Sequence, residues 1–182
     1  RTFGPQEGLD CTRATSVLED RQGTVWVGTW GDGLCRWDGQ RFTTFTTAQG
    51  LAEDRVRCLL EDRQGKIWVG TDSKGVSRWD GRGFTSFTAQ EGLVGNQVSY
   101  MGLDAAGQLW LAGRGINRWD GQRWQQVMED KVLDGSVAVG FAAIHGDRQG
   151  QLWFTLGDTG LCCTDGTQFQ TFTTAQGLGN NQ

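Results

Sequence analysis

Trp26, Trp68, Trp110 and Trp153 recur at separations of 42, 42 and 43 residues, and each stands three residues after a glycine: Gly23, Gly65, Gly107 and Gly150. So regular a period marks tandem units that bury a core only by stacking on one another. Two further registers keep the same order. Asp38-Gly39, Asp80-Gly81, Asp120-Gly121 and Asp165-Gly166 precede Phe42, Phe84, Trp124 and Phe169. Gly8-Leu9, Gly50-Leu51, Gly92-Leu93 and Gly177-Leu178 close the units, with Val132-Leu133 as a degenerate copy.

Within the second unit, turn residues divide the chain into four short strands. Strand A runs from Arg55 to Glu61 and ends at Asp62-Arg63-Gln64-Gly65; strand B is Lys66 to Thr71, whose Ile67, Trp68 and Val69 suit a buried pleated surface. Strand C is Val76 to Trp79, Asp80-Gly81 supplies a tight hairpin, and strand D is Phe84 to Phe87. Glycine is 29 of 182 residues, more than double the usual ~7%, which disfavours helices. The expected fold is therefore all-β: a β-propeller segment of four blades, each a four-stranded antiparallel sheet. The blades are placed at about 10–47, 52–89, 94–128 and 136–174, with terminal linkers at 1–9 and 175–182. Trp26, Trp68, Trp110 and Trp153 are the structural wedge between blades.

Charge and composition exclude several function classes. The net charge is −4 with no basic run, which gives no electrostatic footprint for nucleic acid. No apolar stretch approaches ~18 residues, so no membrane insertion of this segment is expected. Arg1-Thr2-Phe3 is neither a signal region nor an initiator methionine, and the chain reads as an excised or processed piece. The five cysteines, at 11, 35, 58, 162 and 163, lack CxxC spacing and are read as free thiols packed mostly in strands. No glycine-rich turn has a phosphate-loop context.

The stretch Leu60 to Leu93, LEDRQGKIWVGTDSKGVSRWDGRGFTSFTAQEGL, resembles the two-component regulator propeller repeat. The resemblance rests on an Asp-x-x-Gly turn, a Trp-hydrophobic-Gly-Thr strand, a Gly-apolar-x-Arg-aromatic-Asp-Gly hairpin and a Phe-Thr-x-(Glu/Gln)-Gly-Leu linker. In the first unit these are Asp20, Gly23, Trp26 to Thr29, Gly33 to Gly39 and Phe45 to Leu51. The pattern weakens in Trp110-Leu111-Ala112-Gly113 and in Trp153-Phe154-Thr155-Leu156. The resemblance implies a periplasmic or extracellular sensor module, in a ring of about seven blades, coupled to a histidine kinase or cyclase. Gln151 to Thr155 is also similar to repeats of streptogramin lyase-like propellers, which need a catalytic histidine and a magnesium site.

Asp20, Asp62, Asp104 and Asp147 are read as carboxylates that satisfy their own turns, and Asp38, Asp80, Asp120 and Asp165 as hairpin formers. Repetition in every blade argues for folding rather than for one site. His145 is the single histidine, without a second ligand or a nucleophile beside it, and is read as structural or surface. Candidate ligand-binding residues lie instead in unrepeated loop positions. In a propeller the D-to-A and B-to-C connections share one rim, which brings Arg13, Arg55 and Asn96 near Trp30, Asp32, Asp72, Lys74, Arg114 and Asp158. Trp30 is the sharpest member, because an indole exposed in a loop has no folding role.

The expected function is non-enzymatic recognition of a small molecule, glycan or peptide, with no cofactor and no metal. A generic protein-interaction scaffold and a propeller lyase are the alternatives. Two open blade faces further predict a homodimer completing an eight-bladed ring.

Overall fold

A computed structural model describes residues 4, 6, 8, 11, 13–129, 141–147, 149–156 and 160–179. Among the described residues, sixteen strands form four antiparallel four-stranded sheets in simple meander order. Blade 1 holds β1 (Ala14–Glu19), β2 (Val25–Thr29), β3 (Leu34–Trp37) and β4 (Phe42–Phe45). Blade 2 holds β5 (Val56–Glu61), β6 (Ile67–Thr71), β7 (Val76–Trp79) and β8 (Phe84–Phe87). Blade 3 holds β9 (Val98–Leu103), β10 (Leu109–Gly113), β11 (Gly115–Trp119) and β12 (Trp124–Glu129). Blade 4 holds β13 (Phe141–Gly146), β14 (Leu152–Leu156), β15 (Leu161–Thr164) and β16 (Phe169–Phe172). The chain is a four-bladed β-propeller segment. Helix among the described residues takes the form of short 3-10 turns, as at Thr47–Gln49, Ala89–Glu91 and Thr174–Gln176.

Each repeated mark has a structural cause. The turn aspartate spends one oxygen on its own turn and the other on the blade tryptophan. Asp62 Oδ1 accepts the Gln64 and Lys66 N–H groups at 2.9 Å, and Oδ2 accepts the Trp68 Nε1–H at 2.8 Å. The same indole bond joins Trp26 to Asp20, Trp110 to Asp104 and Trp153 to Asp147. It lets a polar indole N–H enter the core without being left unpaired. The linker is a capping box: Thr46 N–H donates to Gln49 Oε1 at 2.8 Å, and Gly50 at φ 96° ends the turn. The Leu that follows then plugs the junction, Leu51 at 3% exposure and Leu93 at 2%.

The core lies between blades. Three clusters of buried residues sit at the three junctions of consecutive blades. At the first, Trp26 stacks on Phe45 and meets Trp79 of the next blade, with centroids 6.3 and 6.4 Å apart. At the second, Trp68 stacks on Phe87 at 5.8 Å and meets Trp119 and Trp124 edge-on. Arg36, Arg78 and Arg118 lay their guanidinium groups over these indoles. Strand A of each blade is innermost and packs on strand A of its neighbour: β1 on β5, β5 on β9, β9 on β13. Among the described residues, no buried cluster joins blade 4 back to blade 1.

Candidate functional site at the loop rim

The B-to-C connections meet the linkers between blades at one rim. Gly31 and Gly33 N–H groups donate to the Asp54 carbonyl, and the Gly75 N–H to that of Asn96. Asp54 and Asn96 in turn accept Thr47 and Ala89 N–H groups with their side chains, at 2.8 and 2.7 Å. A rigid lattice of backbone bonds therefore fixes where the loop side chains stand.

Trp30 occupies the corner between blades 1 and 2. Its N–H donates to the Arg13 carbonyl at 2.9 Å, and it forms an isolated antiparallel bridge with Arg55. Three guanidinium groups surround its ring: Arg57 at 5.2 Å from the centroid, Arg13 at 5.8 Å and Arg55 at 6.0 Å. Asp72 supplies the counter-charge. Its Oδ1 accepts from Arg57 Nε at 2.6 Å and pairs with the other arm of that fork, while Arg55 stands 3.8 Å from Oδ2. Arg57 is thus oriented by a forked ion pair, whereas Arg55 has a side chain 57% exposed. Three cations against one carboxylate around an indole make a corner suited to a flat, anionic group.

The indole differs from its expected exposure. Trp30 is half-buried, because the bridge to Arg55 continues strand pairing beyond β2 and carries the ring in among the arginines. Of the anticipated residues, the structure joins Trp30, Arg55 and Asp72 directly, with Arg13 beside them. Asp32 and Lys74 stand on the turns of blades 1 and 2, where their N–H groups donate to Thr29 Oγ1 and Thr71 Oγ1. Arg114 is exposed on blade 3, and its Cβ lies over Gly95. Asp158 lies outside the described residues. Arg57 was not anticipated. Thr15 and Ser99 hold its place in blades 1 and 3, so its signal was a charge in strand A that the other copies lack.

Other candidates have different roles. His145 is exposed near the end of β13, paired in register with Trp153, at the end of the strand remote from the loop rim. No three or more His, Cys, Asp or Glu among the described residues are grouped to hold a metal. All five cysteines are free thiols. Burial pushes Cys58 up to about 12 and raises Cys35, Cys162 and Cys163, so these are packing groups rather than nucleophiles. Grooves of about 340 and 380 Å³ open at the opposite rim, beside Arg78 and Arg36 respectively. They are built from residues of the repeat at successive junctions, which marks them as seams of the fold. No helix among the described residues is long and apolar enough to cross a membrane.

The family model for the two-component regulator propeller matches residues 8–31 and 50–73, which contain β1–β2 and β5–β6 with their turns. These two stretches are two-component regulator propeller repeats. The chain's fold is similar to the extracellular domains of two hybrid two-component systems of B. thetaiotaomicron. One is 19% identical over 95% of this chain and 26% of its own length, with a TM-score of 0.76. The other is 21% identical over 93% and 26%, with a TM-score of 0.70. Virginiamycin B lyase from Staphylococcus aureus shares the fold at 15% identity, over 91% of this chain and 57% of the enzyme, with a TM-score of 0.71. No curated protein matches the sequence. The chain thus spans about a quarter of the length of the two sensor domains.

Proposed function

We propose that the chain is a non-enzymatic recognition segment of an extracytoplasmic two-component sensor, and that the Trp30 corner binds an anionic ligand with a flat face. The family match and the sensor-domain neighbours support the setting. The observation that carries the site is the unrepeated indole among three guanidinium groups, at a rim whose backbone is already fixed. The ring offers a stacking platform, and Arg13 and Arg55 offer donors for a carboxylate. The shared chemistry is a carboxylate next to an apolar face, which an acidic sugar and an acidic peptide both present.

An array carrying uronic-acid oligosaccharides, their neutral counterparts and acidic peptides separates these sources. Acidic probes should be retained over neutral ones, and Trp30→Ala should weaken retention at least about tenfold, or ~1.4 kcal/mol. Equal retention of acidic and neutral probes, or an unchanged Trp30→Ala profile, overturns the reading. The lyase alternative is addressed by magnesium titration with His145→Ala: a metal-dependent activity lost in that variant would favour it.

A further inference from the structure

At each internal junction, strand A of one blade packs against strands A and B of the blade before it: β5 on β1 and β2, β9 on β5 and β6, β13 on β9 and β10. Two positions set the fit. The first is the glycine of the Trp-x-Gly-Thr strand. A Cβ on Gly28 would stand 2.5 Å from Val56 Cγ1, and one on Gly70 would stand 2.8 Å from Val98 Cγ1. The second lies deeper. A Cβ on Gly102 would stand 3.3 Å from Ile144, and Leu59 and Met101, at the register position of Ile144, pack into the junctions before them.

Blades 4 and 1 carry the two halves of this junction on their outward faces. His145 pairs with Trp153 as Gly102 pairs with Trp110, so it holds the Gly102 position. Val17 pairs with Val27 as Ile144 pairs with Phe154, so it holds the Ile144 position; it is 72% exposed. Thr155 pairs with Leu161 as Gly28 pairs with Leu34, and Ala14 pairs with Thr29 as Val56 pairs with Thr71. At the first two junctions Gly faces Val, and at the third Ala112 holds the glycine's place; the open faces offer the bulkier Thr155 against the smaller Ala14. Trp153 is only half-buried, whereas Trp26, Trp68 and Trp110 are 3%, 1% and 1% exposed.

We propose that a second copy of this chain completes the junction, β1 of one copy packing on β13 and β14 of the other, and that two such contacts close an eight-bladed ring. The inner strands carry the contact, since Trp37 on the outer part of the blade 1 face is already buried at 8% exposure. Two unlike patches joined head to tail stop at a dimer when the rotation closes. In that ring Val17 of each copy meets His145 of the other.

Light scattering at micromolar concentration should give twice the 20.0 kDa chain mass. Val17→Lys and His145→Glu each place an unpaired charge in both contacts and should reduce the mass to one chain. The double variant Val17→Lys/His145→Glu sets opposite charges face to face and should restore it. Both side chains are exposed in a single copy, so all three variants should keep the β-sheet far-UV spectrum. A wild-type mass of one chain, a mass that grows beyond two, single variants that stay dimeric, or a double variant that stays monomeric overturns the proposal.

Discussion

The Asp62–Trp68 pair shows how much one residue carries. Trp68 is 1% exposed, and its indole N–H is satisfied by a carboxylate that is itself 6% exposed. Trp68→Ala should cost ~3 to 5 kcal/mol in denaturant melts, the range for a buried aromatic truncation. Trp30→Ala should cost ~0.5, because its loss exposes no core. Asp62→Ala should cost ~1 to 3 kcal/mol, since it orphans the indole N–H and two turn N–H groups. The hairpin aspartates act through pH instead. The Thr167 hydroxyl and the Gln168 and Thr167 N–H groups hold the Asp165 carboxyl down to about 2. Its folded pKa lies below the unfolded one, so its contribution is complete above the ordinary 3.8 and is lost as pH falls through about 2. Asp165→Asn should therefore flatten the dependence of Tm on pH across that window. The turn role of Asp20, Asp62, Asp104 and Asp147 is legible in the sequence, because an Asp three residues before a Gly bonds its own backbone. The second oxygen's bond to the tryptophan is not legible, because it depends on where the strand carries an indole six residues further on.

Among elements, the second strand of each blade is the most constrained, and its glycine shows why. Gly70 has no turn to make; it is needed because Cys58 and Val98 approach it from its own blade and from the next. A Cβ there would stand 2.5 Å from Cys58 Sγ, so Gly70→Ala should destabilise by ~1 to 3 kcal/mol. Gly83, in the hairpin of the same blade, has nothing within 4 Å of such a Cβ, and Gly83→Ala should shift Tm little by comparison. Strand count and order follow from the spacing of turn signals, so the four sheets can be read in advance. What spacing cannot show is which repeat residue faces the neighbouring blade. That is why Arg57, a strand residue, escaped notice as a partner of Trp30, while Lys74 and Arg114 drew attention as loop charges.

At the scale of the whole molecule, the buried clusters among the described residues join each blade to the blades next to it in sequence, one cluster per junction. Cooperativity then passes along the arc like a row of coupled units, without one central core to hold all four at once. In a single copy, blades 2 and 3 lean on neighbours from both sides, whereas blades 1 and 4 lean from one. Amide exchange of the Val17→Lys variant should accordingly show β5–β12 as the slowest region, with β13–β16 and β1–β4 opening earlier by local unfolding. Uniform protection across all four sheets would mean that the blades open together. A graded profile would make the loop corner between blades 1 and 2 a joint between an early-opening unit and a late-opening one. A ligand bridging that corner would then register as slowed exchange in β1–β4, far from the atoms it touches.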